Sequence, residues 1–252
     1  MKVFRKARYN FMKQSKTTKY LKYAIGEIVL VVVGILIAVQ INTWNENDKA
    51  EKKAITYLKQ FKNDLQFDIE TLTYFIERNK IKIKNIDRIV EMFITKKKLS
   101  KSEMTQFVTL HDPLVYESYF IPEKSTYSQL VGSSHSSIFK NEKLLTLAFR
   151  YYSTNDRNEK NQEVSTQLYQ HNYFTEHITN TILISSENFE RFGIKGIKRP
   201  AIDLENLSLN DHYVSAVWRK HGIANNQNEN YISIKRLAEN LLKKIEQELA
   251  SY

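Results

Sequence analysis

Histidine and serine are the side chains here with the most obvious capacity for chemistry, and neither falls into a working pattern. Six histidines are spread along the chain: His111, His135, His171, His177, His212 and His221. A helical zinc site needs two histidines four apart with a carboxylate ligand close by, and no pair has that spacing. His171 and His177, six apart, point to different sides of a helix. Ser134 and His135, adjacent in GSSHSS, supply a nucleophile and a base by type only. Adjacency in sequence provides neither the geometry nor the oxyanion hole that acyl transfer requires. Ser136 also stands where the second glycine of a G-x-S-x-G elbow would be, so the stretch reads as a loop. The sequence contains no cysteine, which excludes disulfides, thiol catalysis and thiolate metal sites. P-loop, dinucleotide and kinase signatures are missing too. The expectation is a chain that is not an enzyme and that takes no cofactor and no metal.

Aromatic side chains are the other chemical resource, with 15 Tyr and 13 Phe. Tyr116, Tyr119, Phe120 and Tyr127 crowd into one stretch and form a candidate recognition loop. The same residues suit the edge of a core even more readily. A formal charge of +10 raises the question of nucleic acid, which its distribution answers. Residues 1–22 hold eight cations and no acid, leaving 30 basic against 28 acidic residues in the remainder. No nucleic-acid partner is expected. Lys96, Lys97, Lys98 and Lys101 form a small cluster that reads as a solvated helix end.

These side chains have to be positioned by elements, and the first element is a membrane span. Residues 24–41 are apolar except for Glu27 and Gln40, with Tyr23 and Trp44 flanking them. From Tyr23 to Trp44 a helix is about 33 Å long, matching a hydrocarbon core of roughly 30 Å. Both aromatics sit at headgroup depth. The basic region is long for a signal peptide, the apolar run exceeds the usual length, and QINTWNE offers no small-x-small cleavage site. An uncleaved anchor is therefore expected in the cytoplasmic (inner) membrane. Positive charge on its N-terminal side puts residues 1–22 in the cytoplasm and the bulk of the chain outside it. Glu27 shares a helix face with Gly34 and Ala38, a small-xxx-small pair, which makes Glu27, Gly34 and Ala38 a candidate transmembrane association face. Glu27 either snorkels to headgroup water or faces a protein partner.

The block YLKYAIGEIVLVVVGILIAVQINTWNE, preceded by FRKARYNFMKQSKTTK, resembles the N-terminal signature GEIxLVVxGILIAxQINxWNE of a family of uncharacterised single-pass membrane proteins of Bacteroidetes, a domain of unknown function. A second block, STYSQLVGSSHSSIFKNEKLLTLAFRYYS at residues 125–153, resembles that family's central motif of a short helix, a Gly/Ser loop and a helix ending in paired tyrosines. The resemblance implies an anchored protein and no assigned activity.

Beyond the anchor, residues 46–98 contain neither Gly nor Pro and carry a heptad pattern. One register is Ile55, Lys62, Ile69, Ile76, Ile83, Val90; the other is Leu58, Leu65, Leu72, Asn79, Ile86, Phe93. A coiled-coil dimer and packing within the chain both fit this stripe, and Phe61, Phe67 and Phe75 widen it toward the second. Ser100 with Glu103 is a capping box opening a helix to about Leu110. Asn141 caps a helix through Leu144, Leu145, Ala148, Phe149 and Tyr152, and a further helix over residues 156–185 carries Val164, Leu168, Ile178 and Ile182. After a loop with Gly193, Gly196 and Pro200, one helix with Tyr213, Val217 and Trp218 stops at Gly222. A last helix carries Ile234, Leu237, Leu241, Ile245 and Leu249. The expected fold class is all-α, with a basic tail (1–22), a transmembrane helix (23–44) and an extracytoplasmic helical bundle (45–252) beginning with the long helix. Three functions fit: an interaction or scaffold module binding another envelope protein or a second copy in a homo-oligomer, a ligand-binding sensor-like domain with a separate transmembrane partner, or an envelope enzyme.

Overall fold

The computed structural model describes residues 2–95, 98–115, 119–132, 141–197, 199 and 201–252. No strand occurs among them, and the fold is all-α, opening with one long apolar N-terminal helix. That helix, α1, runs Lys2–Thr95; α2 (Lys101–Leu110), α3 (Asp112–Val115), α4 (Ser125–Gly132), α5 (Glu142–Tyr169), a π-helix (Gln170–Leu183), α6 (Ser186–Arg191), α7 (Leu204–Ser208) and α8 (Asp211–Leu249) follow. The chain forms two compact units, Met1–Ile55 and Thr56–Tyr252, and α1 contributes to both.

In the first unit α1 exposes its apolar side chains on all sides, Leu30 and Trp44 among them. Within Ala24–Thr95 it is long and apolar enough to cross a membrane, by length and composition. A hydrocarbon environment favours this form, because a helix satisfies every backbone group internally. After Trp44 the surface turns ionic, with Lys49–Glu46 at 3.1 Å and Lys52–Asp48 at 2.7 Å.

The second unit is framed by α1, α5 and α8. Lys62 meets Glu246 at 2.8 Å and Asp87 meets His221 at 3.2 Å, so α8 runs antiparallel to α1. Glu248 accepts the Asn141 N–H at 3.1 Å, and Gln162 accepts the Tyr231 hydroxyl at 3.0 Å, so α8 is antiparallel to α5 as well. The stripe of α1 that packs against them is Leu58, Leu65, Leu72, Asn79 and Ile86 with Phe61, Asp68, Lys82 and Ile89, all buried. One expected register is therefore central. Its companion is the 61–68–75–82–89 series, while Lys62, Ile69, Ile83 and Val90 are only half-buried flanks. Phe67 is exposed, unlike Phe61 and the half-buried Phe75.

Residues 119–124 form an extended strap against this frame. An extended segment has no internal hydrogen bonds, so its buried backbone groups need side-chain partners. Asp68 Oδ1 accepts the Glu123 N–H at 2.9 Å, Tyr152 donates its hydroxyl to the Glu123 carbonyl at 2.8 Å, and the Tyr231 hydroxyl accepts the Phe120 N–H at 3.3 Å. Tyr151 donates to the other Asp68 oxygen at 2.7 Å. Burial still pushes the Asp68 carboxyl up to about 6, against the opposing pull of these bonds.

At the opposite end of this unit Ile86, Ile89 and Met92 pack with Phe107, Val108, Leu114, Ile178, Ile182, Leu207, Tyr213 and Val217. His111 lies in this core. Its Nδ1 bonds the Phe107 carbonyl at 2.8 Å, which fixes the proton there, so Nε2 accepts from the Tyr213 hydroxyl. Burial lowers the imidazole to about 4, keeping it neutral. Arg191 clamps α6 to α3 through two 2.9 Å bonds to Asp112.

Local signals place several termini. Ser100 and Glu103 form the expected capping box, with the Ser100 N–H on Glu103 Oε2 at 2.9 Å. Gly193, at φ 75°, ends α6 in a Schellman turn, where the Ile194 N–H reaches the Phe189 carbonyl at 3.0 Å. Other expectations are corrected. Gly222 does not stop a helix but sits exposed inside the continuous α8, and the two helices expected across residues 141–185 are one run, α5 passing directly into the π-helix. Val164, Leu168, Phe149 and Trp218 are exposed, not core.

Candidate functional site

The middle of the three-helix frame is polar. On α1 the buried stripe places Asn79 and Lys82; on α5 it places Asn155, Asn158, Gln162, Thr166 and Tyr169; on α8 it places Lys220, Gln227 and Tyr231, with Ala224 between them. Each set follows the three- and four-residue spacing that keeps it on one helix face, so the helices that bury apolar residues at their ends bury amides, hydroxyls and amines at their centre. Lys220 Nζ lies 4.9 Å from the Tyr169 ring centroid, a cation–π contact. Burial lowers the Lys220 amine to about 6, with the charge of Lys82 adding to the effect. Lys82 is lowered to about 8 by burial and, secondarily, by Arg78.

Several polar atoms of this layer are buried with no hydrogen-bond partner in the protein: Asn79 Nδ2, Gln162 Nε2, Gln227 Nε2, and the hydroxyls of Thr166 and Tyr169. Most are donors. The unpartnered acceptors are Asn155 Oδ1 and Asn158 Oδ1. A groove of about 50 Å³ between α5 and α8 reaches the layer, lined by Asn158, Gln162 and Gln227 with Asn161, Asn226 and Asn230 around them. The chemistry on offer is recognition by hydrogen bonding and positive charge.

A second feature is external. Phe67, Tyr74 and Ile81 are 61%, 54% and 53% exposed and lie one heptad apart, which puts them on one face of α1. Arg78 donates to the Tyr74 hydroxyl at 2.7 Å and holds its guanidinium 5.6 Å from the ring centroid. A cleft of about 940 Å³ between α2 and α6 is lined by Lys101, Glu190, Arg191 and Lys195. Its charges are largely engaged, Arg191 by Asp112 and Lys101 by Glu190 at 3.4 Å.

The candidate residues from sequence fall as follows. Glu27, Gly34 and Ala38 are exposed on α1, and a Cβ added at Gly34 would meet nothing within 4 Å. Of the aromatic loop, Phe120 is buried against Tyr231 with ring centroids 6.4 Å apart, and Tyr127 stacks on Tyr152 at 4.2 Å. Tyr119 is half-buried, and Tyr116 lies outside the described residues. Also outside them are the GSSHSS loop with Ser134 and His135, and Lys96 and Lys97. Two histidines do meet, His177 stacking on His212 at 4.8 Å, while His221 stacks on Trp218 at 5.0 Å. Among the described residues no three His, Asp or Glu side chains are grouped to hold a metal ion. Sequence reasoning passed over Lys82, Lys220 and the amides of α5. The available signal was a polar stripe at helical spacing, 155–158–162–166, running between apolar residues.

The chain belongs to a family of unknown function (DUF6090), whose model matches residues 27–154. The match begins at Glu27 and takes in Asp68, Asn79, Lys82 and the strap, ending just before Asn155. No curated protein and no solved structure matches.

Proposed function

We propose that this family member is a membrane-anchored protein-interaction module of the cell envelope, held by one span at residues 23–44, with residues 1–22 in the cytoplasm and its helical unit outside. The observation that carries this reading is the exposed heptad of Phe67, Tyr74 and Ile81. Three large apolar side chains at a spacing of seven on a solvent face are costly to leave in water and suit a helix laid alongside. Either another envelope protein or a second copy of the chain fits that face. The eight cations before the span support the orientation, since basic residues flanking a span are retained on the cytoplasmic side.

The lack of cysteine makes a direct test simple. Tyr74→Cys in the full-length protein places a single thiol on the stripe. Oxidation in native membranes is expected to give a homodimer, or a bifunctional reagent at that thiol a discrete adduct with one other protein. Phe67→Asp is expected to abolish the product without lowering the thermal midpoint, because Phe67 supports no core. If Tyr74→Cys yields no product, the interaction reading fails. A sensor-like role is favoured by one further observation, the buried donor-rich layer.

A further inference from the structure

Midway along their contact, α5 and α8 face one another through amides, at positions where packed helices ordinarily present apolar side chains. Asn158, Asn161 and Gln162 on α5 and Asn226, Gln227 and Asn230 on α8 line the groove of about 50 Å³. Both sets keep the three- and four-residue spacing of a helix face turned to a neighbour. Among the described residues that line the groove none is charged, and Ile223 alone is apolar.

Three of these amides are deeply buried and incompletely bonded. Gln162, Gln227 and Asn158 are 4%, 4% and 8% exposed, and Gln162 Nε2, Gln227 Nε2 and Asn158 Oδ1 have no hydrogen-bond partner in the protein. The orientation of the Gln162 amide is fixed by its neighbour, because the Tyr231 hydroxyl accepts the Phe120 N–H at 3.3 Å and donates to Gln162 Oε1 at 3.0 Å. Its NH2 is what remains. At the rim Asn230 donates to Asn226 Oδ1 at 3.1 Å, and Asn161 is exposed.

The groove therefore offers two unmet donors and one unmet acceptor in an uncharged setting. Leaving a buried polar atom without a partner costs about 1–3 kcal/mol, so the set is costly unless the groove is occupied. A carboxamide is its complement: the carbonyl oxygen has two lone pairs for the two donors, and the N–H serves the acceptor. Water meets the same atoms but makes no use of Ile223 or of the amide rim. A methyl on the carbonyl carbon packs on Ile223, and a ring or chain on the nitrogen leads out past Asn161, Asn226 and Asn230. Size agrees as well. At about 10–15 Å³ for each water-sized sphere the groove has room for roughly four, which matches the heavy atoms of an acetamido group.

We propose that the groove is a binding site for a neutral acetamido group, as carried by N-acetylated amino sugars and by small free amides. Gln162 and Gln227 donate to its oxygen, Asn158 accepts its N–H, and Ile223 covers its methyl. Through Gln162 and Tyr231 the bound group is joined to Phe120 and the strap. The site gives the sensor-like reading a ligand class, and it uses no residue of the Phe67, Tyr74 and Ile81 face, so the two tests fail independently.

The test is saturation-transfer NMR on the full-length protein in detergent, with acetamide, N-acetylglucosamine and glucose as probes. Saturable transfer to the acetyl methyl of at least one acetamido compound is expected, and which of the two binds names the source of the group. Glucose, which has the ring without the acetamido group, is expected to show none. Gln227→Leu removes a donor and should weaken binding at least about tenfold. Asn226→Trp, at an exposed rim position, closes the mouth and should do the same, and this variant decides the matter if Gln227→Leu does not fold. No saturable transfer from either acetamido compound would overturn the proposal and leave ordered water only in the groove. So would glucose binding as well as N-acetylglucosamine, or binding that either folded variant leaves unchanged.

Discussion

Asp68 and His111 are both fully buried and both neutralised by burial, yet they pull the pH dependence of stability in opposite directions. The Asp68 carboxyl, raised from 3.8 to about 6, keeps its proton in the folded state while an unfolded one would lose it. Between those values the native state binds more protons, so the contribution of Asp68 is present below pH 3.8 and lost as pH rises through 6, by about 2–3 kcal/mol. His111, lowered from 6.5 to about 4, does the reverse. Its unfolded form takes up a proton that the buried ring refuses, so its contribution is present above pH 6.5 and lost as pH falls toward 4, by about 3 kcal/mol. In the native sequence the two slopes largely cancel between pH 4 and 6. Asp68→Asn keeps an oxygen for the Glu123 N–H and removes the titration, so denaturant midpoints of this variant should fall more steeply than those of the native protein from pH 6.5 to 4.5. Identical slopes for the two proteins would show that Asp68 titrates normally in the folded state.

Gly222 brings the same kind of argument to the level of a helix. It lies in the middle of α8, exposed, and an added Cβ would meet nothing within 4 Å. Glycine in a helix interior costs about 0.5–1 kcal/mol relative to alanine, chiefly through the entropy of the unfolded chain. Gly222→Ala should therefore raise the thermal midpoint by about 1–4 °C in a unit of this size, readable by circular dichroism. Had the helix ended there, the substitution would have been neutral or harmful. The position also shows which elements the sequence announces. Ser100 with Glu103 and the turn at Gly193 are read directly, because caps are local and act through neighbouring backbone. A lone glycine is a weaker signal: burial of Val217, Lys220, Ala224 and Gln227 across it outweighs its entropy. The central stripe of α1 was legible only in half. Choosing the more apolar companion register misses Asp68 and Lys82, which are buried because the strap and the polar layer use them. Their partners lie up to 138 residues away in the chain, as Lys82 and Lys220 do, beyond the reach of any local pattern.

At the scale of the whole molecule, the proposed transmembrane stripe gives association in a membrane a measurable form. Gly34 has open space around it within the chain, so a leucine there meets no steric obstacle in an isolated copy. Helices associate in lipid through close backbone approach at small residues, and on the proposed association face Gly34 with Ala38 would provide that approach beside Glu27. Gly34→Leu should thus lower the yield of the Tyr74→Cys homodimer several-fold if two copies pair along α1, while leaving insertion and the thermal midpoint of the helical unit unchanged. Glu27→Gln then separates the two readings of the carboxylate. A group that snorkels to headgroup water loses little when its charge is removed, whereas one facing a partner within the bilayer loses a strong hydrogen bond, and dimer yield should drop as it does in Gly34→Leu. A homodimer that forms undiminished in both variants would mean that association belongs to the exposed Phe67, Tyr74 and Ile81 face alone. The proposed span would then serve only as an anchor, and on the proposed orientation a periplasm-active reporter at the C-terminus should still be on, because that orientation rests on the eight basic residues before the span and not on the face it presents.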